Sequence, residues 1–294
     1  MAGGPGGSGG GVDSQSLFWA IIMSAFAAFG GILFGYDTGT IGGIIVMEDW
    51  LKNFGSFDSS TGKYYIPTND QSLVVSILSA GTFFGALLAF PMGDIVGRKW
   101  GIIASCAIFS LGVGLQLDTK WATFVIGRVG LVSCLVPMYQ SECSPKSIRG
   151  LIVGLYQLAI TIGALLAAIV LNSTKDHPNH SSWRIPIAVQ FAWAAILSFG
   201  MFCLPESPRF LLKRGREQAA RVSLGRLLTK PRDSPEVDAE YEEILAALEA
   251  DRALGAGSYA DCFRNTEAKN GLRTWTGILL QAWQQLTGIN FICE

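Results

Sequence analysis

Charge is scarce in this sequence: only 15% of the 294 residues are Asp, Glu, Lys or Arg, against about 25% in an ordinary soluble domain. Histidine is scarcer still, with 2 in the chain, and the 6 cysteines include no C-x-x-C pair. That supply excludes the usual zinc and redox clusters, so no metal and no cofactor is expected. Cys106, Cys134, Cys143 and Cys203 lie in or beside apolar stretches, where they read as small packing residues. With no clustered nucleophile and base, the chain does not read as an enzyme. A net charge of −1 excludes a nucleic-acid partner, whose phosphates call for a strongly basic surface. Residues 1–11 carry no basic charge and no cleavage site follows, so a cleaved signal peptide is not expected.

What is abundant is apolar. Half of the residues are hydrophobic and mean hydropathy is +0.37. A helix needs about 20 apolar residues to cross the hydrocarbon core. Runs of that kind predict spans at 17–36 (running on to 47), 72–91, 101–117, 121–138, 151–171 and 185–204, with a seventh starting near 274. Small residues within them, as at Gly81, Gly85, Gly163 and Ala164, let helix backbones approach closely in lipid. Trp19, Trp100, Trp121, Trp183 and Trp275 sit near span ends, as interfacial aromatics do. The expected fold is all-α, an integral membrane bundle of six transmembrane helices with a cytosolic helical segment and the start of a seventh. The expected domains are a flexible tail (1–16), the six-helix unit (17–204), a charged cytosolic linker (205–273) and the first part of a seventh helix (274–294).

Helix starts are written into the linker. Ser207-Pro208 and Ser234-Pro235 each place an N-cap hydroxyl before a proline suited to the first turn. Tyr241, Ile244, Leu245 and Leu248 recur at helical spacing and predict an apolar stripe. Arg98, Lys99, Lys146, Arg149 and twelve further Lys and Arg from Arg209 to Arg273 fall on one side of the expected bundle. Five, at Lys52, Lys63, Lys120, Lys175 and Arg184, fall on the other. The imbalance puts both ends of the six-span unit in the cytosol, although the short loops alone, four against five, do not decide it. Two N-x-S/T sequons at Asn172 and Asn179 then fall in an outer loop, and His177 and His180 beside them read as solvated loop residues.

Four local patterns carry mechanism. Gly93-Asp94-Ile95-Val96-Gly97-Arg98-Lys99 follows span two, and Pro137-Met138-Tyr139 leads through Glu142 and Pro145 to Arg149-Gly150 after span four. Pro205-Glu206-Ser207-Pro208-Arg209-Phe210-Leu211 follows span six, and Gln284-Gln285-Leu286-Thr287-Gly288-Ile289-Asn290 lies in span seven. The first three place carboxylates (Asp94, Glu142, Glu206) and guanidiniums (Arg98, Arg149, Arg209) at one face. Arginine pairs with carboxylates at two points, so such groups can latch helix ends in one conformation and release them in another. One exposed pair contributes little. Three sets at the exits of even-numbered spans point to gating salt bridges.

Together with Gly35-Tyr36-Asp37-Thr38-Gly39, these motifs give the chain a resemblance to the sugar porters of the major facilitator superfamily, particularly their fungal hexose members, over residues 17–294. The resemblance implies two six-helix halves that alternate access to a midplane site, of which this chain carries the N-terminal one. It implies a monosaccharide, a hexose, and a proton as partners, within a lipid bilayer and alongside a missing C-terminal half, in a multi-pass protein of the plasma membrane. In proton-coupled members an Asp and an Arg at the positions of Asp37 and Arg128 form a coupling pair, which implies symport; the alternative is an ion pair that only fixes spans one and four. Gln157, Gln284, Gln285 and Asn290 match the family's sugar-binding positions, and Gln281 is a weaker match. Amides suit hydroxyls because they both donate and accept. A non-transporting sugar sensor or regulatory fragment of the same fold is the other reading, and a sensor would be expected to bring a long signalling tail.

Two departures stand out. The chain ends at Glu294, where the family continues through five more helices, so it is expected to be incomplete and inactive alone. Between Arg128 and Pro137 the family's Gly-rich stretch is longer by about six residues, equal to roughly 9 Å of helix. That shortening predicts a lost or strained Asp37–Arg128 pair.

Overall fold

Proline and glycine punctuate the chain into helices. The computed structural model describes residues 26–59, 62–127, 135–144, 149–177, 179–253, 263 and 270–287. In chain order these form α1 (Phe29–Ile44), α2 (Glu48–Phe54), β1 (Ser56–Asp58), β2 (Lys63–Tyr65), α3 (Thr68–Ile95), α4 (Arg98–Gln116), α5 (Trp121–Gly127) and α6 (Leu135–Cys143). There follow α7 (Arg149–Thr174), α8 (Ser181–Cys203), α9 (Pro208–Lys213), α10 (Glu217–Leu228), α11 (Pro235–Ala253) and α12 (Asn270–Leu286). Two compact units contain them, Met1–Tyr241 and Glu242–Glu294.

Three described helices are long and apolar enough to cross a membrane unaided: Arg98–Gln116, Gly150–Thr174 and Ser181–Cys203. Phe29–Ile44 and Glu48–Phe54 qualify only as a pair, bent by 79°, and α3 contributes the shorter apolar stretch Ala80–Ile95. The expected first span is described from residue 26 onward. The expected fourth is described at its two ends, as α5 and α6. Helices α3, α7 and α8 start before the runs of hydropathy that predict them, and α3 and α7 also end after them. Hydropathy marks the hydrocarbon boundary, whereas backbone hydrogen bonding continues into the polar flanks.

The tightest helix pair is α1 on α7. Gly31, Gly35, Gly39 and Gly43 recur every four residues and so line one face of α1. A side chain on Gly31 would stand 2.6 Å from Tyr156 O, one on Gly39 would press on Ala167 at 3.1 Å, and one on Gly35 would run into the backbone of Ile160. The fit is mutual, because a side chain on Gly163 of α7 would meet Ile32 O and Tyr36 N of α1. In lipid, where apolar burial no longer drives association, backbone approach of this kind supplies it.

The two ends of the bundle are built differently. At one end α2 folds back, and Trp50, Phe54, Trp121, Phe124 and Trp183 pack through tilted and edge-to-face ring contacts, with Trp50, Phe124 and Trp183 at 0% exposure. A hairpin follows, Phe57 facing Tyr64 across β1 and β2. Neither α2 nor the hairpin is marked by hydropathy, since elements this short carry no readable period. At the other end polar loops join α3 to α4 and α8 to α9. The expected linker starts are there: Ser207 Oγ accepts from Phe210 N ahead of Pro208, and Ser234 Oγ accepts from Val237 N ahead of Pro235. Tyr241 and Leu248 of the expected stripe are buried, with Ile244 and Leu245 partly so.

Candidate functional site

Arg98 is the hub of the polar end. Its side chain is 5% exposed, at the first residue of α4. Nε and Nη2 both donate to the Glu142 carboxylate on α6, at 3.0–3.2 Å. Nη1 donates to Gly93 O at 2.8 Å and to Asp94 Oδ1 at 3.1 Å on α3. The planar guanidinium therefore ties the ends of three helices at once, which a point-charge ammonium does less well. The Phe210 ring lies 5.2 Å from its carbon, closing the site from α9.

Glu206 completes the cluster through the backbone. Its Oε1 accepts from Arg98 N, Lys99 N and Ser207 N at 2.9–3.0 Å. The first two are free amides at the N-terminus of α4, where a carboxylate is favoured by both hydrogen bonding and the helix dipole. Gly97 makes room for it. Its φ is +105°, and a side chain there would collide with Glu206 Oε2. Tyr139 OH donates to Pro205 O at 2.7 Å, and Ser207 Oγ donates to Glu142. Lys213 Nζ reaches Asp94 Oδ2 at 2.8 Å, while Arg214 donates to the carbonyls of Asp94 and Ile95.

Four of the six expected gating residues, Asp94, Arg98, Glu142 and Glu206, thus meet in one cluster. Arg209 is exposed on α9, and the Arg149 side chain lies outside the described residues. Sequence reasoning passed over Tyr139, Ser207, Lys213 and Arg214. Two of them stood inside the quoted motifs, but hydroxyls and flanking cations carry no spacing signal of their own.

A second polar centre lies within the bundle. Asp37, on α1, is 5% exposed, and Gln190 Nε2 of α8 donates to its Oδ1 at 3.1 Å. Tyr36 OH donates to Pro186 O on the same helix at 3.1 Å. Gln190 was visible in sequence only as a lone amide in span six, 153 positions from its partner. Arg128 lies outside the described residues, and so does the expected change in its approach to Asp37. Of the expected sugar-binding amides, Gln157 is exposed on α7 in the first unit and Gln284 is exposed on α12 in the second. The Gln285 side chain and Asn290 lie outside the described residues.

Comparison with known proteins gives this arrangement relatives. The family described as "Sugar (and other) transporter" matches residues 23–293. The major facilitator-type transporter ecdD of Aspergillus rugulosus is 53% identical over 281 residues, covering 93% of this chain and 51% of its own. The probable glucose transporter rco-3 of Neurospora crassa is 44% identical, over 93% of this chain and 47% of its own. Among solved structures, the proton:xylose symporter XylE bound to 6-bromo-6-deoxy-D-glucose aligns with a TM-score of 0.70 at 26% identity, over 83% of this chain and 55% of that one. The chain spans about half the length of the curated relatives it matches.

Proposed function

The chain belongs to the sugar (and other) transporter family, a multi-pass membrane fold that carries solutes rather than transforming them, and from that membership we propose that it is the N-terminal half of a proton-coupled hexose carrier of the plasma membrane. The division into a tail, a six-helix unit, a cytosolic helical linker and a seventh helix belongs to this proposal. The observation that carries the coupling is Asp37, a carboxylate buried in an apolar bundle and held by a neutral amide. An ionisable group inside a span is costly and is kept for function. In this reading Asp37 takes a proton from one side and releases it to the other; Arg128 is the charge partner the family's motif gives it, a pairing that the shortened fourth span is expected to strain or break. Gln157, Gln284, Gln285 and Asn290 are its proposed sugar-binding amides, on the strength of their match to the family's positions.

The polar end is the cytosolic one in this proposal. With Arg98 joined to Asp94 and Glu142, and Glu206 on the α4 terminus, the helix ends are drawn together there. Opening the cytosolic side requires those contacts to separate, with water replacing each partner. Arg149 and Arg209 are the further cations of that latch. The two halves rock about a midplane site, and the latch biases which side is open.

The test is uptake by a complete carrier that contains this half. Asp37→Asn is expected to abolish hexose accumulation against a gradient while sparing exchange. Undiminished accumulation in that variant removes Asp37 from the mechanism, and a complete carrier that moves no hexose at all favours a sensor. Sidedness is checked separately by an impermeant thiol reagent on Ser234→Cys, which should label only after the membrane is opened.

A further inference from the structure

Gln190 has a peculiarity that the coupling scheme does not use. It is 1% exposed, Nε2 donates to Asp37, and its Oε1 is buried without a partner among the described residues. Asp37 makes at least one further contact, so Gln190 is not its sole partner. A buried amide with an orphan carbonyl is costly where leucine would pack well. Its chemistry gives the reason to keep it. A primary amide presents two donors at one end and an acceptor at the other. Ionised, Asp37 is acceptor-only and takes the NH2 end; protonated, it carries an O–H, which the carbonyl end accepts after a half-turn of the amide. Lysine or arginine would hold only the ionised form, and leucine neither.

We propose that Gln190 is a positioning residue for Asp37 through its proton cycle, its amide turning over as Asp37 gains and loses a proton and so passing that change to α8. The inference rests on the reading of Asp37 as the coupling group. The proton arrives from water on an Asp37 oxygen and leaves from it, and Gln190 stays neutral throughout. Few other groups compete for the role. On α1 the remaining titratable side chain is Tyr36, engaged with Pro186 O. From Gly150 to Thr174, α7 carries only Tyr156. On α8 there are Arg184, stacked on Trp183 towards the aromatic end, and Cys203 at the last residue. No titratable residue lies on α5, and those of α6 (Tyr139, Glu142 and Cys143) lie on the helix that joins the Arg98 cluster. Arg128 lies outside the described residues.

The experiment measures accumulation, exchange and the pH profile of accumulation in proteoliposomes holding the complete carrier. Gln190→Leu is expected to lower accumulation by at least about tenfold, the scale of losing a hydrogen bond to a charged group, while exchange persists. Gln190→Glu keeps the shape and puts a second carboxyl against Asp37, so accumulation should persist with a displaced pH profile, because two close carboxyls share one proton. If Asp37→Asn accumulates normally, the coupling reading itself fails. If Asp37→Asn does not accumulate while Gln190→Leu matches the parent in level and pH profile, coupling stands and the role of Gln190 is overturned. Should Gln190→Leu also lose exchange, it has lost structure, and Gln190→Glu decides: a displaced profile supports the inference and a parental one overturns it.

Discussion

The two ends of the first unit hold helices together by opposite means. At the aromatic end, α2, α5 and α8 meet through Trp50, Phe54, Trp121, Phe124 and Trp183, with ring centroids 5.1–6.3 Å apart. At the polar end, α3, α4, α6 and α9 meet through a few directional contacts centred on Arg98. Aromatic packing is broad and tolerant of small shifts. A guanidinium bound to two carboxylates is all-or-none, because a half-made buried pair is worse than none. The polar end is therefore suited to switching and the aromatic end to staying put, although Asp49 adds a polar clasp there by accepting from Trp183 Nε1 at 3.2 Å and facing His180 Nδ1 at 2.8 Å.

The largest effect should come from Arg98→Met. Leaving Asp94 and Glu142 without that cation should destabilise the unit by about 3–5 kcal/mol, read from thermal unfolding by circular dichroism in detergent, while Glu206 keeps its backbone amides. Adding Glu142→Leu should recover part of the loss, since it removes one of the stranded charges. A double variant weaker than the single would erase the distinction between the ends. Next, Trp50→Ala should cost about 3 kcal/mol, the lower part of the range for a buried Trp. Its Nε1 has no partner among the described residues, so no hydrogen bond to any of them is forfeited. Here a second truncation, Trp183→Ala, should deepen the loss rather than relieve it.

Lys213→Ala probes the edge of the polar end. Its ammonium touches Asp94 but its side chain is 53% exposed, so the change should be at most about 1 kcal/mol. A larger loss would mean that the cluster extends to α9 as one unit. The smallest effect is expected at Glu236, at the start of α11. Its own backbone amide, then Lys230, hold its carboxyl below the usual glutamate range. The bias this gives α11 is present above the unfolded value, about 4.3, and fades as pH falls through the lower folded value. Glu236→Gln should remove that pH dependence and leave the rest of the unfolding curve unchanged.

Much of this was legible in the sequence where chemistry is local. Ser207-Pro208 and Ser234-Pro235 announce their helices because capping is settled within four residues. The apolar runs announced α4, α7 and α8 because a bilayer demands continuous hydrophobicity. The motifs named Asp94, Arg98, Glu142 and Glu206, but not that Glu206 would act on amides instead of on a guanidinium. That role depends on Gly97 and on a contact 108 positions away. Likewise α2 and Gln190 are defined by partners across the bundle, which no local period records.

The glycine face between α1 and α7 has a thermal consequence. Most helix interfaces must freeze side-chain rotamers to form, and heating makes that restriction steadily more expensive. Glycine has no rotamers to lose, so this contact forms with little loss of side-chain freedom. Upon warming, the polar end should loosen first, while α1 and α7 persist as a stiff two-helix spar to which the rest of the unit can return.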